Sequence, residues 1–115
     1  MKRFDIDGAS VIITGAGSGI GRELASSLCA RGARVALLGR RREALEATAA
    51  GLPPGAVSII VATDVTDYDS CLKARDAVMA SFGRIDALFN NAGISMRGAF
   101  GDTSPQVLRQ LVDGD

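Results

Sequence analysis

Residues Thr14-Gly15-Ala16-Gly17-Ser18-Gly19-Ile20-Gly21 follow the apolar run Val11-Ile12-Ile13 and open a helical pattern of Ile20, Leu24 and Leu28. A strand, a tight glycine turn and a helix aim backbone N–H groups and a helix N-terminus at one point, which is the chemistry of phosphate binding. The glycines divide the work. Gly15 lets the chain turn off the strand, Gly19 lets backbone approach a pyrophosphate, and Gly21 lets the helix pack closely. The spacing is Gly-x-x-x-Gly-x-Gly and not Gly-x-Gly-x-x-Gly, and Arg22-Glu23 after Gly21 excludes a P-loop. Taken alone, such a stretch is also compatible with an ordinary loop.

Arg40-Arg41-Arg42 come where a second apolar run, Val35 to Leu38, ends at Gly39. A carboxylate near such a strand end bonds ribose hydroxyls, whereas an arginine accommodates a 2′-phosphate. A solvated charged surface is the other reading, with Glu43 and Glu46 in reach. Cations at a helix N-terminus oppose its dipole, however, and a broken local rule points to a ligand. Asp64, after a third apolar run, has the chemistry to accept a hydrogen bond from an adenine amino group or to cap the next helix. Asn90-Asn91-Ala92-Gly93 ends a fourth run, where small residues permit close approach of a flat ligand or form a turn. Groups for acid–base or covalent catalysis are scarce: there is no histidine, one tyrosine (Tyr68), and the lysines are Lys2 and Lys73.

Each candidate site closes an apolar run, so the strands position them all. Strands are expected at about 10–14, 35–38, 57–62 and 85–89. Helices are expected after the glycine turn to about residue 31, after Arg42, and over about 67–82 with Cys71, Ala74, Val78 and Phe82 as a buried stripe. A Gly-containing loop then leads to a capping box at Thr103-Ser104-Pro105-Gln106 and a last helix over 107–112. Alternating strands and helices predict an α/β fold, a doubly wound parallel sheet of order 3-2-1-4. Its ligand crevice is expected between the first and fourth strands, where the winding reverses. The third strand is almost continuously apolar, as one covered on both faces.

A zero net charge argues against nucleic acid or an anionic membrane as the main partner. No signal peptide is legible, and no apolar run approaches the roughly 18 residues of a membrane span. The two cysteines, Cys29 and Cys71, sit in helical patterns as buried reduced thiols, and no metal site is expected. These features fit a cytoplasmic protein.

Thr14 to Gly21, Asp64-Val65 and Asn90-Asn91-Ala92-Gly93, in this order and spacing, closely resemble the short-chain dehydrogenase/reductase family from about residue 6 to residue 113. The resemblance implies a Rossmann-like sheet and carbonyl–alcohol interconversion by hydride transfer. It sets Gly15, Ser18, Gly19 and Ile20 around a cofactor diphosphate, beside the helix-packing Gly21. It brings Arg40 to the 2′-phosphate of NADP, in preference to NAD, and Asp64 and Val65 to either side of adenine. Asn91, Ala92 and Gly93 would lie along the adenosine ribose and the path to nicotinamide. Ser18 departs from the basic residue many NADP-preferring members carry in the turn, so the NADP reading rests on Arg40.

The resemblance also implies a later serine and a Tyr-x-x-x-Lys pair, whose ammonium lowers the phenol pKa across one helical face. Here Tyr68 is followed at the fourth position by Leu72, and Lys73 points about 140° away round the helix. No catalytic residue is therefore assigned. Residues 1–115 are expected to be the NAD(P)-binding, Rossmann-like domain, truncated and incomplete at its C-terminus, and inactive alone. A non-catalytic nucleotide-binding module and an inert truncation product are the alternatives. The full-length parent is expected to be a homo-oligomer.

Overall fold

The computed structural model describes residues 5–90 and 94–100. Its elements are β1 (Ser10–Thr14), α1 (Gly19–Ala30), β2 (Arg34–Gly39), α2 (Arg42–Ala50), β3 (Val57–Ala62), α3 (Tyr68–Phe82), β4 (Ala87–Phe89) and α4 (Ile94–Phe100). The strands form one parallel sheet of order β3-β2-β1-β4, as expected.

Successive strand residues face opposite sides of a sheet, and here both sides are covered. Val11, Ile13, Val35 and Leu37 pack with Ala25 and Leu28 of α1 and Leu45 of α2. Ile12, Ala36, Leu38 and Leu88 pack with Cys71, Ala74, Val78 and Phe82 of α3 and Met96 of α4. Ile12, Ile13, Leu37 and Leu38 are fully buried, each contributing roughly 1.5–3 kcal/mol of transfer free energy. The α3 stripe is the one its spacing predicts. Cys29 and Cys71 are buried free thiols in the two opposite layers, and burial pushes both pKa values up.

The structure departs from expectation at three places. β3 matches its expected bounds, but its residues are only partly buried and Val57 is 49% exposed. Helices lie against both of its faces, through Ile60 and Ile59, yet among the described residues it is hydrogen-bonded only to β2 and its outer edge is open.

Residues 94–100, expected as loop, form α4. Gly93, Gly98 and Gly101 disguise it. Met96 and Ala99 bury against α3, the Gly98 position brings α4 against the Tyr68 ring, and Arg75 donates from Nη1 to the Ala99 carbonyl at 2.8 Å. Tertiary packing overrides weak local propensity here. The expected capping box and the helix over 107–112 lie outside the described residues.

β4 spans three residues where 85–89 was expected. At Asp86 a side chain joins the ladder: its N–H donates to the Ser10 carbonyl at 2.8 Å, and its carboxylate accepts the Ser10 N–H at 2.9 Å. Burial would raise the Asp86 pKa, but hydrogen bonds from Arg84 and Ser10 and the charges of Arg84 and Arg34 outweigh it and hold the carboxyl below its usual value. A depressed folded-state pKa contributes stability above the unfolded value that is lost as pH falls through the folded one. Asp86→Asn should therefore lower the urea midpoint clearly at pH 7 and much less in acid below the carboxylate range. An equal loss at both pH values would show that the charge contributes nothing.

Candidate functional site

The carboxyl ends of β1, β2 and β3 open into a cavity of about 400 Å³. The glycine turn walls one side through Gly15, Gly17 and Ser18. The β2–α2 junction walls another through Gly39, Arg40 and Arg41, and Val65 after β3 closes the rim. Among the described residues the cavity lining runs from the end of β1 over those of β2 and β3; residues 91–93, which follow β4 in sequence, lie outside them. At the β1–β4 junction Thr14 Oγ1 lies 3.2 Å from the Phe89 carbonyl and 3.4 Å from Asn90 Oδ1, tying the two strand ends together.

The turn has the geometry its glycines imply. Gly15 and Gly19 take φ of 67° and 56°, the left-handed region that favours glycine. At Gly21 a Cβ would meet the Gly15 carbonyl oxygen at a separation no side chain tolerates, so α1 begins in direct contact with the turn. Ser18 is the N-cap but makes no side-chain capping bond, and the first turn of α1 carries no acidic residue. The first N–H groups of a helix lack intrahelical acceptors, so this end is electropositive and open to an anion. Ile20 is 79% exposed beside it. Gly17, given no separate role by its spacing, is needed elsewhere: an added Cβ would sit 2.9 Å from Ala44 Cβ of α2.

The three arginines separate. Arg42 pairs along α2 with Glu46 at 3.4 Å, while Arg40 and Arg41 line the cavity. Arg40 Nη2 lies 3.2 Å from Asp64 Oδ1, a contact between two candidate residues that their spacing did not suggest. Asp64 is held in turn by Thr66, accepting from its hydroxyl at 2.6 Å and its N–H at 3.0 Å. These Thr66 bonds, and after them the Arg40 guanidinium, hold the Asp64 carboxyl below its usual value. Asp64 therefore ties down a turn. The N-cap of α3 is Asp67, which makes no side-chain capping bond. An exposed ion pair contributes only about 0–1 kcal/mol, so a more highly charged anion in the cavity can compete for Arg40.

Of the expected residues, Gly15, Ser18, Arg40 and Val65 line the cavity and Asp64 touches Arg40. Gly19 and Ile20 lie at the exposed start of α1, and Gly21 supports the turn from behind. Asn91, Ala92 and Gly93 lie outside the described residues. Arg41, Thr63 and Leu45 line the cavity too, Arg41 having been the one with a sequence signal in the arginine run. Tyr68 opens α3, half exposed, with Leu72 and not a lysine at the fourth position beyond it. Among the described residues no group of His, Cys, Asp and Glu could hold a metal, and no helix is long and apolar enough to cross a membrane.

A family model described as short chain dehydrogenase matches residues 9–114. Dehydrogenase/reductase SDR family member 7B of Bos taurus is 43% identical over 118 residues, covering 96% of this chain and 36% of that protein. An NAD+-bound xylitol dehydrogenase superimposes with a TM-score of 0.73 at 38% identity, over 78% of this chain and 35% of that one. A 3-ketoacyl-(acyl-carrier-protein) reductase from Brucella melitensis, complexed with NADH, does so with a TM-score of 0.70 at 34% identity, over 77% of this chain and 36% of that one. The chain thus spans little more than a third of the length of these relatives.

Proposed function

This chain belongs to the short-chain dehydrogenase family, and from that premise we propose that it binds the dinucleotide of a carbonyl–alcohol oxidoreductase, NADP(H) in preference to NAD(H). On this reading the chain holds the N-terminal, cofactor-binding part of a longer catalytic unit. The observation that carries the reading is the pairing within one cavity of an uncapped helix N-terminus with Arg40 and Arg41, where β2 ends in Gly39 and not in a carboxylate.

The residues present fit such a cofactor. The glycine turn, with Gly15, Ser18, Gly19 and Ile20, would hold the diphosphate on backbone N–H groups, and Gly21 keeps that turn against α1. Arg40 would take the 2′-phosphate through its planar fork. Asp64 and Val65 would border the adenine, and Asn91, Ala92 and Gly93 the ribose and the approach to nicotinamide. When bound, the nicotinamide supplies or accepts the hydride. The solved relatives are named with NAD+ and NADH, and the support for NADP(H) in this chain is its own Arg40 at the end of β2.

We place the proton-transferring groups outside these residues, because Tyr68 and Lys73 fall on different faces of α3. The purified chain should bind NADPH saturably yet show no substrate-dependent oxidation of it with a panel of ketones and aldehydes. Saturable turnover that follows the chain through purification would overturn the placement of the chemistry. Absence of NADPH binding would overturn the cofactor reading.

A further inference from the structure

Thr48 lies in the body of α2 and is 1% exposed. A threonine within a helix ordinarily returns its hydroxyl to a carbonyl of its own preceding turn. Thr48 Oγ1 instead donates to the Ala16 carbonyl in the glycine turn, 32 residues away, at 2.7 Å. The same oxygen accepts from Arg22 Nε at 3.0 Å, and Arg22 Nη2 donates to the Gly17 carbonyl at 2.6 Å. Ala16 is also held from its other side, its N–H donating to the Leu38 carbonyl at the end of β2 at 3.2 Å.

From this chain of bonds we infer that Thr48 and Arg22 are positioning residues for anion binding, acting on the peptide planes of the turn. In a trans peptide unit the C=O and the following N–H point in opposite directions. Holding the Ala16 and Gly17 carbonyls on Thr48 and Arg22 turns the N–H groups of Gly17 and Ser18 away from those two side chains, leaving them for a ligand. The contact of Gly17 with Ala44 presses α2 against the turn and keeps Thr48 in reach. Arg22 adds a positive charge behind the turn. Without the clamp either peptide plane is free to rotate, presenting a carbonyl where a phosphate needs a donor.

The inference rests on the proposed dinucleotide site, and the two are tested apart by a pair of ligands measured on the intact protein. NADPH carries the diphosphate; adenosine 2′-monophosphate carries only the adenosine and 2′-phosphate. Thr48→Val should weaken NADPH by about three- to tenfold, the scale of one net hydrogen bond, and leave the monophosphate within about twofold. Thr48→Ser, which keeps the hydroxyl, should restore NADPH. Arg22→Gln, at an exposed position, should show the same selective loss. Equal weakening of both ligands, or unchanged NADPH affinity in Thr48→Val and Arg22→Gln, would overturn the inference while leaving the cofactor reading standing. A wild-type protein that binds neither ligand would overturn both.

Discussion

Gly21→Ala is expected to lower the unfolding midpoint by several degrees and to reduce NADPH affinity by more than tenfold, whereas Gly51→Ala leaves both unchanged. The difference is steric. A Cβ at Gly21 overlaps the Gly15 carbonyl oxygen and carbon and lies 3.0 Å from Ala16 Cα. All of these are backbone atoms of a turn already anchored to β2 through Ala16, so α1 or the turn must shift as a whole. Overpacking of this kind costs about 1–3 kcal/mol, against which alanine's better helix propensity returns about 1 kcal/mol. The shift also carries the first N–H groups of α1 off the position that a diphosphate would occupy, hence the larger effect on binding than on stability. At Gly51 the nearest atoms to an added Cβ are 3.7 Å away and φ is −91°, so alanine fits. Thermal unfolding and NADPH titration of both variants provide the check. A Gly21→Ala protein with wild-type midpoint and affinity would mean that the close approach has no role.

Such close approaches were legible in advance where the sequence carries a local signature. The spacing puts Gly15 in a turn and Gly21 at a helix contact, and the sheet order follows from alternating apolar runs and right-handed crossovers. The bounds of β3 follow from one unbroken apolar run and the α3 stripe from helical spacing, both of which are local in the sequence. What period does not encode was missed. α4 is stabilised by Met96, Ala99 and the Arg75 bond to its last turn, all of which depend on α3 being in place. β4 is shortened by a carboxylate standing in the ladder. Gly17 reads as a turn glycine, but its neighbour is Ala44. Thr48 reads as an unremarkable helical residue, because only the folded chain brings it beneath Ala16. Nothing in a spacing of 24 residues says that the strand ends carrying Arg40 and Asp64 are adjacent.

That adjacency sharpens the cofactor prediction. Wild-type protein should prefer NADPH over NADH by roughly ten- to hundredfold, the equivalent of about 1.5–3 kcal/mol for a charged hydrogen bond. Arg40→Ala should erase most of this ratio. Arg40→Lys should keep part of it, since an ammonium retains the charge but not the fork that engages two phosphate oxygens. Arg42→Ala should change little, because that guanidinium is occupied by Glu46 along α2. Asp64 enters with the opposite sign. Its carboxylate competes with the 2′-phosphate for Arg40, so Asp64→Asn should raise the NADPH:NADH ratio by a few-fold, the scale of an exposed ion pair. Any bond from Asp64 to adenine affects both cofactors alike and cancels in that ratio. In an Arg40→Ala background the Asp64 substitution should leave the ratio where it is, because the competition has lost its object. Titrations must be made at one fixed salt concentration, since phosphate contacts weaken as ions screen them. Equal affinity of the wild type for both cofactors would mean that Arg40 is committed to Asp64 and that the pair is a surface salt bridge only.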